Sequence, residues 1–351
     1  MYLGADSGSY SRIQMRSDAQ VNSVDHRRDK TRAVLTIAVG KPIYLAMALN
    51  LARSFFWWNG KSGIRFFLAT DQAPKLPQDL AGAIELIHLE AGAFGTGFSP
   101  KLYLDKMAPA DETLFIDADC LCVAPLGPVF DTFIGCEVSV VGREESEGEL
   151  FGDIAARCRA VGVKAVPRFC GGLYFLRKGL VTQRVFDSAR QFAERYDELG
   201  LKRLRGVSNE EPLIGLAMAL HDQHPIPEDG TIKAEPMFFS GRADVDVLKG
   251  RAKLTNLPAQ PSPAPEWKMP TSARPRVVHF NSSFAEKPPY TTEVLRLQKI
   301  AEQRWPIFLA STYASIVRTL PFAVAEFVKT KLRPLYRRFF GVRKVRPSKR
   351  I

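Results

Sequence analysis

The run Thr113-Leu114-Phe115-Ile116-Asp117-Ala118-Asp119-Cys120-Leu121-Cys122-Val123 constrains the chain more than any other stretch. A few residues of strand character drive into two acids one residue apart, and the apolar pattern then resumes. Extended backbone would aim Asp117 and Asp119 to the same side at the open end of a buried strand. Two carboxylates held there repel, and burying either one unpaired costs on the order of several kcal/mol. A divalent cation relieves both penalties, and hard oxygen ligands suit magnesium or manganese. The plainer alternative is a turn carrying two solvated acids, since Asp forms turns well.

The remaining sequence reads as repeated strand–helix units. Residues 1–32 are polar and without periodicity, a mobile leader. Ala33 to Val39 is a short apolar run with β-branched residues, closed by Gly40; Pro42 to about Phe56 follows as a helix with proline in its first turn. Ile64 to Ala69 and Ala83 to Leu89 read as further strands. This order predicts an α/β fold with a mostly parallel central sheet flanked by helices, and such sheets gather ligands at the carboxyl ends of their strands. Gly40, Asp71 and the acidic pair all fall at such ends. Phe55-Phe56-Trp57-Trp58 closes the core beneath the first helix rather than forming a ligand platform.

Ser99 and Pro100 read as the N-cap and first position of a helix, setting Lys101 sixteen residues before Asp117. After the acidic pair come a strand from Glu137 to Val141 and a polar loop from Arg143 to Glu149. Gly171-Gly172 then opens a strand, where paired glycines permit either close ligand approach or a β-bulge. Leu180 to Leu199 reads as a long helix, and Glu210-Glu211 precede an apolar helix from Leu213 to Leu220, where capping alone accounts for two acids. His221-Asp222-Gln223-His224 sits among prolines and reads as a polar loop, and 241–275 as an irregular excursion. His279 ends a brief strand, Arg276 to Asn281, where a lone histidine is usually structural; only the acidic pair's need for a third ligand raises it.

The block from Lys101 through Val123, together with His279-Phe280 and Lys287-Pro288-Pro289-Tyr290, resembles the retaining glycosyltransferases of family 8, which have the GT-A nucleotide-diphospho-sugar transferase fold. The resemblance spans about Ala33 to Tyr290, with weaker matches at Tyr44, Gly171-Gly172 and Glu210-Glu211. It implies that Asp117, Asp119 and His279 hold Mn2+ or Mg2+ against the diphosphate of a nucleotide sugar, most naturally a UDP-sugar. It further implies that Lys101 and Lys287 contact phosphates or sugar and that Tyr44 stacks on the base. Ala38, Gly40, Ala118, Gly171 and Gly172 would complete the donor site, and Glu210 or Glu211 would face the sugar and acceptor as the catalytic carboxylate. The chain departs from the family on the sugar side. Cys170 stands where an Asn is usual, Glu210-Glu211 replaces an Asp-Gln pair, and no sugar-binding acid is evident upstream of the glycine strand. A catalytically silent nucleotide-sugar-binding protein is therefore the second reading. A haloacid dehalogenase-type phosphatase is the third, disfavoured because three strands precede Asp117 and no Asp-Asp pair follows.

Composition settles where the charge lies. The net charge is +12, but nine cations and no acid fall within 331–351, leaving +3 for residues 1–330. With Leu332, Leu335, Tyr336, Phe339 and Phe340 among those cations, residues 291–351 read as a helical, basic amphipathic extension, which either lies on an anionic membrane surface or packs against the domain with a solvated end. No recognition module accompanies the basic residues, so nucleic acid is not expected as a partner. Five cysteines without CxxC spacing, and no secretory pattern in the first thirty residues, point to the cytoplasm, with peripheral attachment to a cytoplasmic membrane face. No run of eighteen apolar residues appears, which argues against a spanning helix.

Overall fold

The computed structural model describes residues 30–204 and 206–341. Both the leader up to Asp29 and the cations from Arg343 to Arg350 lie outside the described residues.

In chain order the strands are β1 (Arg32–Ala38), β2 (Arg65–Thr70), β3 (Ile84–His88), β4 (Glu112–Ile116), β5 (Cys120–Cys122), β6 (Val138–Glu145), β7 (Val166–Arg177), β8 (Ile226–Pro227), β9 (Lys233–Ala234), β10 (Asp244–Asp246), β11 (Arg251–Thr255), β12 (Ser272–Ala273) and β13 (Val277–His279). The α-helices are α1 (Pro42–Asn59), α2 (Leu104–Met107), α3 (Gly127–Thr132), α4 (Ile154–Val161), α5 (Leu180–Glu194), α6 (Glu210–Leu220), α7 (Tyr290–Ala301), α8 (Ile307–Ala314) and α9 (Leu320–Phe340). Seven strands form the main sheet in the order β3-β2-β1-β4-β7-β6-β8. The pairs β3–β2, β2–β1, β1–β4 and β6–β8 are parallel, whereas β7 runs antiparallel to both β4 and β6. The architecture is the expected mixed α/β one, with helices on both faces of a mostly parallel sheet.

Alternation along β4 shows how two layers form on one sheet. Leu114 and Ile116 join a core with Phe55, Phe66, Phe133 and Phe280. Phe115, facing the other way, packs with Tyr174, Phe186 and the apolar side of α6, including Leu213 and Ile214. Burial on both faces explains why these strands read as continuous apolar runs. The first strand–helix turn depends on Gly40, whose φ of +76° suits glycine and whose N–H donates to the Asp71 carboxylate at 3.0 Å.

Several local expectations are corrected. Ser99 does not cap an α-helix; Ser99–Tyr103 is a 3-10 turn leading into the short α2. The polar loop expected from Arg143 onward is partly strand, because Arg143 and Glu145 continue the β6–β7 pairing. Residues 241–275 contain the antiparallel sheet β10-β11-β12, whose short strands the prolines between them obscured. Most consequentially, α8, a π-helical turn at Ser315–Thr319 and α9 run on as one helix from Ile307 to Phe340. It is largely exposed, and by length and composition it suffices to cross a membrane, contrary to the expectation above. Arg318 interrupts the apolar run without bringing the average hydropathy down far enough to prevent that.

Candidate active site at the carboxyl edge of the sheet

Asp117-Ala118-Asp119 turns the chain from the main sheet into a second one, β5-β13-β9. The Cys120 N–H donates to the Asp117 carbonyl at 3.0 Å, closing a turn. The extended backbone expected for this pair is therefore corrected: β4 ends at Ile116, and Cys120 begins a strand that pairs elsewhere. Both carboxylates nevertheless meet at one imidazole. His279 Nε2 lies 3.1 Å from Asp119 Oδ1 and 3.8 Å from Asp117 Oδ2. Strand pairing brings it there, since His279 stands opposite Cys120 in the antiparallel β13–β5 register. The Phe280 N–H donates to the Asp119 carbonyl at 3.0 Å and pins the turn to β13.

The glycine pair forms the opposite wall. The Asp117 N–H donates to the Gly172 carbonyl at 3.1 Å, extending the β4–β7 ladder. A Cβ on Gly172 would collide with the His279 ring, and one on Gly171 would lie 2.9 Å from Glu210 Oε1 and 3.0 Å from Glu211 Oε1. Glycine is required here by close approach of side chains rather than by an unusual φ.

Lys101 ties the two acidic groups together. Its ammonium donates to Asp117 Oδ2 at 2.8 Å and to the Gly171 carbonyl at 3.0 Å, and pairs with Glu210 Oε1 at 3.0 Å. Burial opposes this charge, yet the Asp117 and Glu210 carboxylates outweigh it and raise the Lys101 pKa. Glu210 is 2% exposed, and its other oxygen has no partner among the described residues. Burial raises its pKa against the pull of Lys101. Half-buried Glu211 accepts the Gly171 N–H at 2.6 Å, and its amide caps α6 through Asn209 at 3.3 Å. Burial and the adjacent Glu210 push the Glu211 carboxyl up to about 7. Burial disfavours a charged His279, but Cys120, Asp119 and Cys170 around it hold its pKa well above that of ordinary imidazole.

The other sequence candidates are distributed along the same edge or apart from it. Ala38 is buried at the end of β1, its carbonyl taken by the Thr70 hydroxyl at 2.7 Å, and Ala118 is buried within the acidic turn. Tyr44 is half-buried on α1 against the core. Lys287 shares no hydrogen bond or ion pair with the cluster among the described residues; its ammonium lies 3.9 Å from the Phe284 ring centroid. In the His221–His224 loop, His221 contacts the Ser188 hydroxyl at 2.8 Å and His224 pairs with Glu144. A cavity of about 1140 Å³ between β10, α7 and α8 lies elsewhere and is lined by none of the acidic or lysine residues above.

Asp119 Oδ1 and Asp117 Oδ2, each within 4 Å of His279 Nε2, supply hard oxygen donors that fit a divalent cation such as Mn2+ or Mg2+. The group whose ligand atoms all lie within 4.8 Å of one another is Asp119, Cys120 and His279, while Asp117 Oδ2 is paired with Lys101. Cys120 stands near enough to join Asp119 and His279. Burial raises its thiol pKa well above the ordinary range, and a soft thiol is in any case a poorer match than oxygen for Mn2+ or Mg2+. Sequence reasoning passed over Lys233 and Glu235, both 0% exposed, which flank the inner side of His279. Their only signal was two charged residues spaced i, i+2 in a segment with no visible strand.

No family model matches the chain, and no curated protein matches it. Among solved structures, the chain is similar to the galactosyltransferase LgtC, crystallised with donor and acceptor sugar analogues, at 14% identity, over 78% of this chain and 96% of that one, with a TM-score of 0.49. It is also similar to the bifunctional glycosyltransferase WbbM at 10% identity and TM-score 0.49, covering 81% of this chain and 52% of that one. The glycosyltransferase GlyE of Streptococcus pneumoniae matches at 15% identity and TM-score 0.37, over 57% and 45% of the respective chains.

Proposed function

We propose that this chain is a metal-dependent glycosyltransferase of GT-A type that moves a hexose from a UDP-sugar to a glycan or lipid-linked acceptor with retention of anomeric configuration. The observation that carries the reading is the approach of Asp119 and Asp117 to His279 Nε2, at 3.1 and 3.8 Å, with Lys101 and two further carboxylates alongside, at the carboxyl edge of an α/β sheet. Bound there, Mn2+ or Mg2+ would neutralise the charge that develops on a diphosphate leaving group. Asp117, Asp119 and His279 would hold it, and Lys101 would add a fixed positive charge beside it. Glu210, engaged by Lys101, is committed to holding that lysine. Glu211, less buried, is the carboxylate that faces the sugar and acceptor and bears on the oxocarbenium-like carbon or the attacking hydroxyl. Ala38 and Gly40, at the end of neighbouring β1, and Tyr44 on α1 receive the nucleotide.

The catalytic domain runs over 33–290, and the extension from 291 holds the enzyme at an anionic bilayer on the cytoplasmic face. Support comes from the 307–340 helix, which exposes Phe308, Ile316, Leu320, Phe327, Leu335 and Phe339 and carries Lys329, Lys331, Arg333, Arg337 and Arg338 toward its end. Flotation with anionic liposomes tests this: deleting 331–351 should weaken binding, and unchanged binding would end the idea.

A panel of nucleotide sugars, assayed for Mn2+-dependent hydrolysis and thermal stabilisation, tests the activity. Hydrolysis of one donor supports an enzyme; stabilisation without turnover favours the silent binding protein. Turnover of p-nitrophenyl phosphate, with no response to any donor, would point to a phosphatase instead.

A further inference from the structure

Behind the acidic pair lies a second set of charges with no access to solvent. Strand β9 runs parallel to β13 with Lys233 beside Val277 and Ala234 beside Val278, so the next step brings Glu235 alongside His279. Side chains two apart share a face, and Lys233 and Glu235 form an ion pair with both residues 0% exposed. Glu235 Oε1 also lies 3.5 Å from His279 Nδ1, on the side of the ring away from Asp119. The Cys170 thiol stands 3.7 Å from the same nitrogen, and Gly172 packs flat against the ring. Cys170, Glu235 and His279 could be taken for a metal cage, but the Lys233 ammonium already supplies the cation there.

A fully buried Lys–Glu pair is a poor source of stability, because desolvating both charges offsets their attraction. Its geometry suggests a different use. An imidazole binds a cation through one nitrogen when the other nitrogen's proton is held by an acceptor. We propose that Glu235, anchored by Lys233, is a positioning residue that accepts the His279 Nδ1 proton and turns the Nε2 lone pair toward the cation held by Asp117 and Asp119. Lys233 holds the Glu235 carboxylate in place through their ion pair, so the acceptor does not rotate away from Nδ1. This rests on the metal reading above, and the test separates the two.

The test uses the full chain with Mn2+ and excess UDP, following free Mn2+ by electron paramagnetic resonance and the bound imidazole nitrogen by electron spin-echo modulation. Because removing one buried charge alone would strand its partner, both are replaced together. Lys233→Met/Glu235→Gln keeps an acceptor for the Nδ1 proton; Lys233→Met/Glu235→Leu does not. The first double variant should bind Mn2+ within about threefold of wild type and keep the nitrogen signal. The second should lose about 10- to 100-fold in affinity, together with that signal. Circular dichroism and unfolding midpoints establish that both variants fold; if the leucine variant does not, Glu235→Gln against Glu235→Ala in the Lys233→Met background makes the same comparison. Full affinity and an intact nitrogen signal without the acceptor would overturn the proposal alone, provided His279→Ala abolishes both. If His279→Ala leaves Mn2+ affinity unchanged, the metal reading fails and the proposal falls with it.

Discussion

Lys101 Nζ lies 3.0 Å from Glu210 Oε1, and that pair joins the helix that Glu210 and Glu211 open to the turn bearing the acidic pair. One ammonium thus ties the 3-10 turn before α2 to three neighbours: the turn after β4, strand β7 and the first turn of α6. Fixing such a charge before substrate arrives avoids the cost of reorganising it during reaction.

Lys101→Met should therefore cost stability as well as donor binding. It leaves Glu210 buried and without its cation, a loss of about 3 kcal/mol. Lys101→Met/Glu210→Gln should recover much of that stability without recovering donor affinity. Urea unfolding of both proteins checks this, and a single variant as stable as wild type would contradict the buried pairing.

Gly172→Ala should act through His279. The added methyl group meets the imidazole, so the ring must shift. An overpacking cost of about 1–3 kcal/mol is expected, with a loss of about tenfold or more in Mn2+ affinity. Manganese titration beside thermal unfolding separates the two effects.

Glu211 gives a pH dependence whose sign is fixed. Its folded pKa is raised from 4.5 to about 7, so the folded protein holds a proton that the unfolded chain releases. Its contribution to stability is present below pH 4.5 and is lost as pH rises toward 7. Glu211→Gln should consequently stabilise the protein at pH 8, by on the order of 1–3 kcal/mol, and change little at pH 4. Equal effects at both pH values in denaturant titrations would contradict the raised pKa.

Much of this arrangement is legible in the sequence where chemistry is local. The strand leading into two acids, the paired glycines within β7 and the acids opening α6 each carry a composition signal within a few residues. His279 is harder, because it reaches Asp119 only through pairing of β13 with β5, strands about 160 residues apart. Nothing in its neighbourhood announces that contact. Lys233 and Glu235 were invisible for the opposite reason: charged residues read as solvated, and β9 is only two residues long. The terminal helix was underestimated because Arg318 and Pro321 break the apolar run in sequence, yet the helix continues through both, absorbing the irregularity in its π-helical turn.

Calorimetric titration of UDP into wild type and Asp119→Asn, with and without Mn2+, most directly asks whether the acidic pair grips a diphosphate through a cation. Wild type should bind UDP at least about tenfold more tightly with Mn2+, and Asp119→Asn should lose that gain while unfolding at nearly the wild-type temperature. UDP affinity indifferent to Mn2+ in wild type, or an undiminished gain in Asp119→Asn, would contradict it.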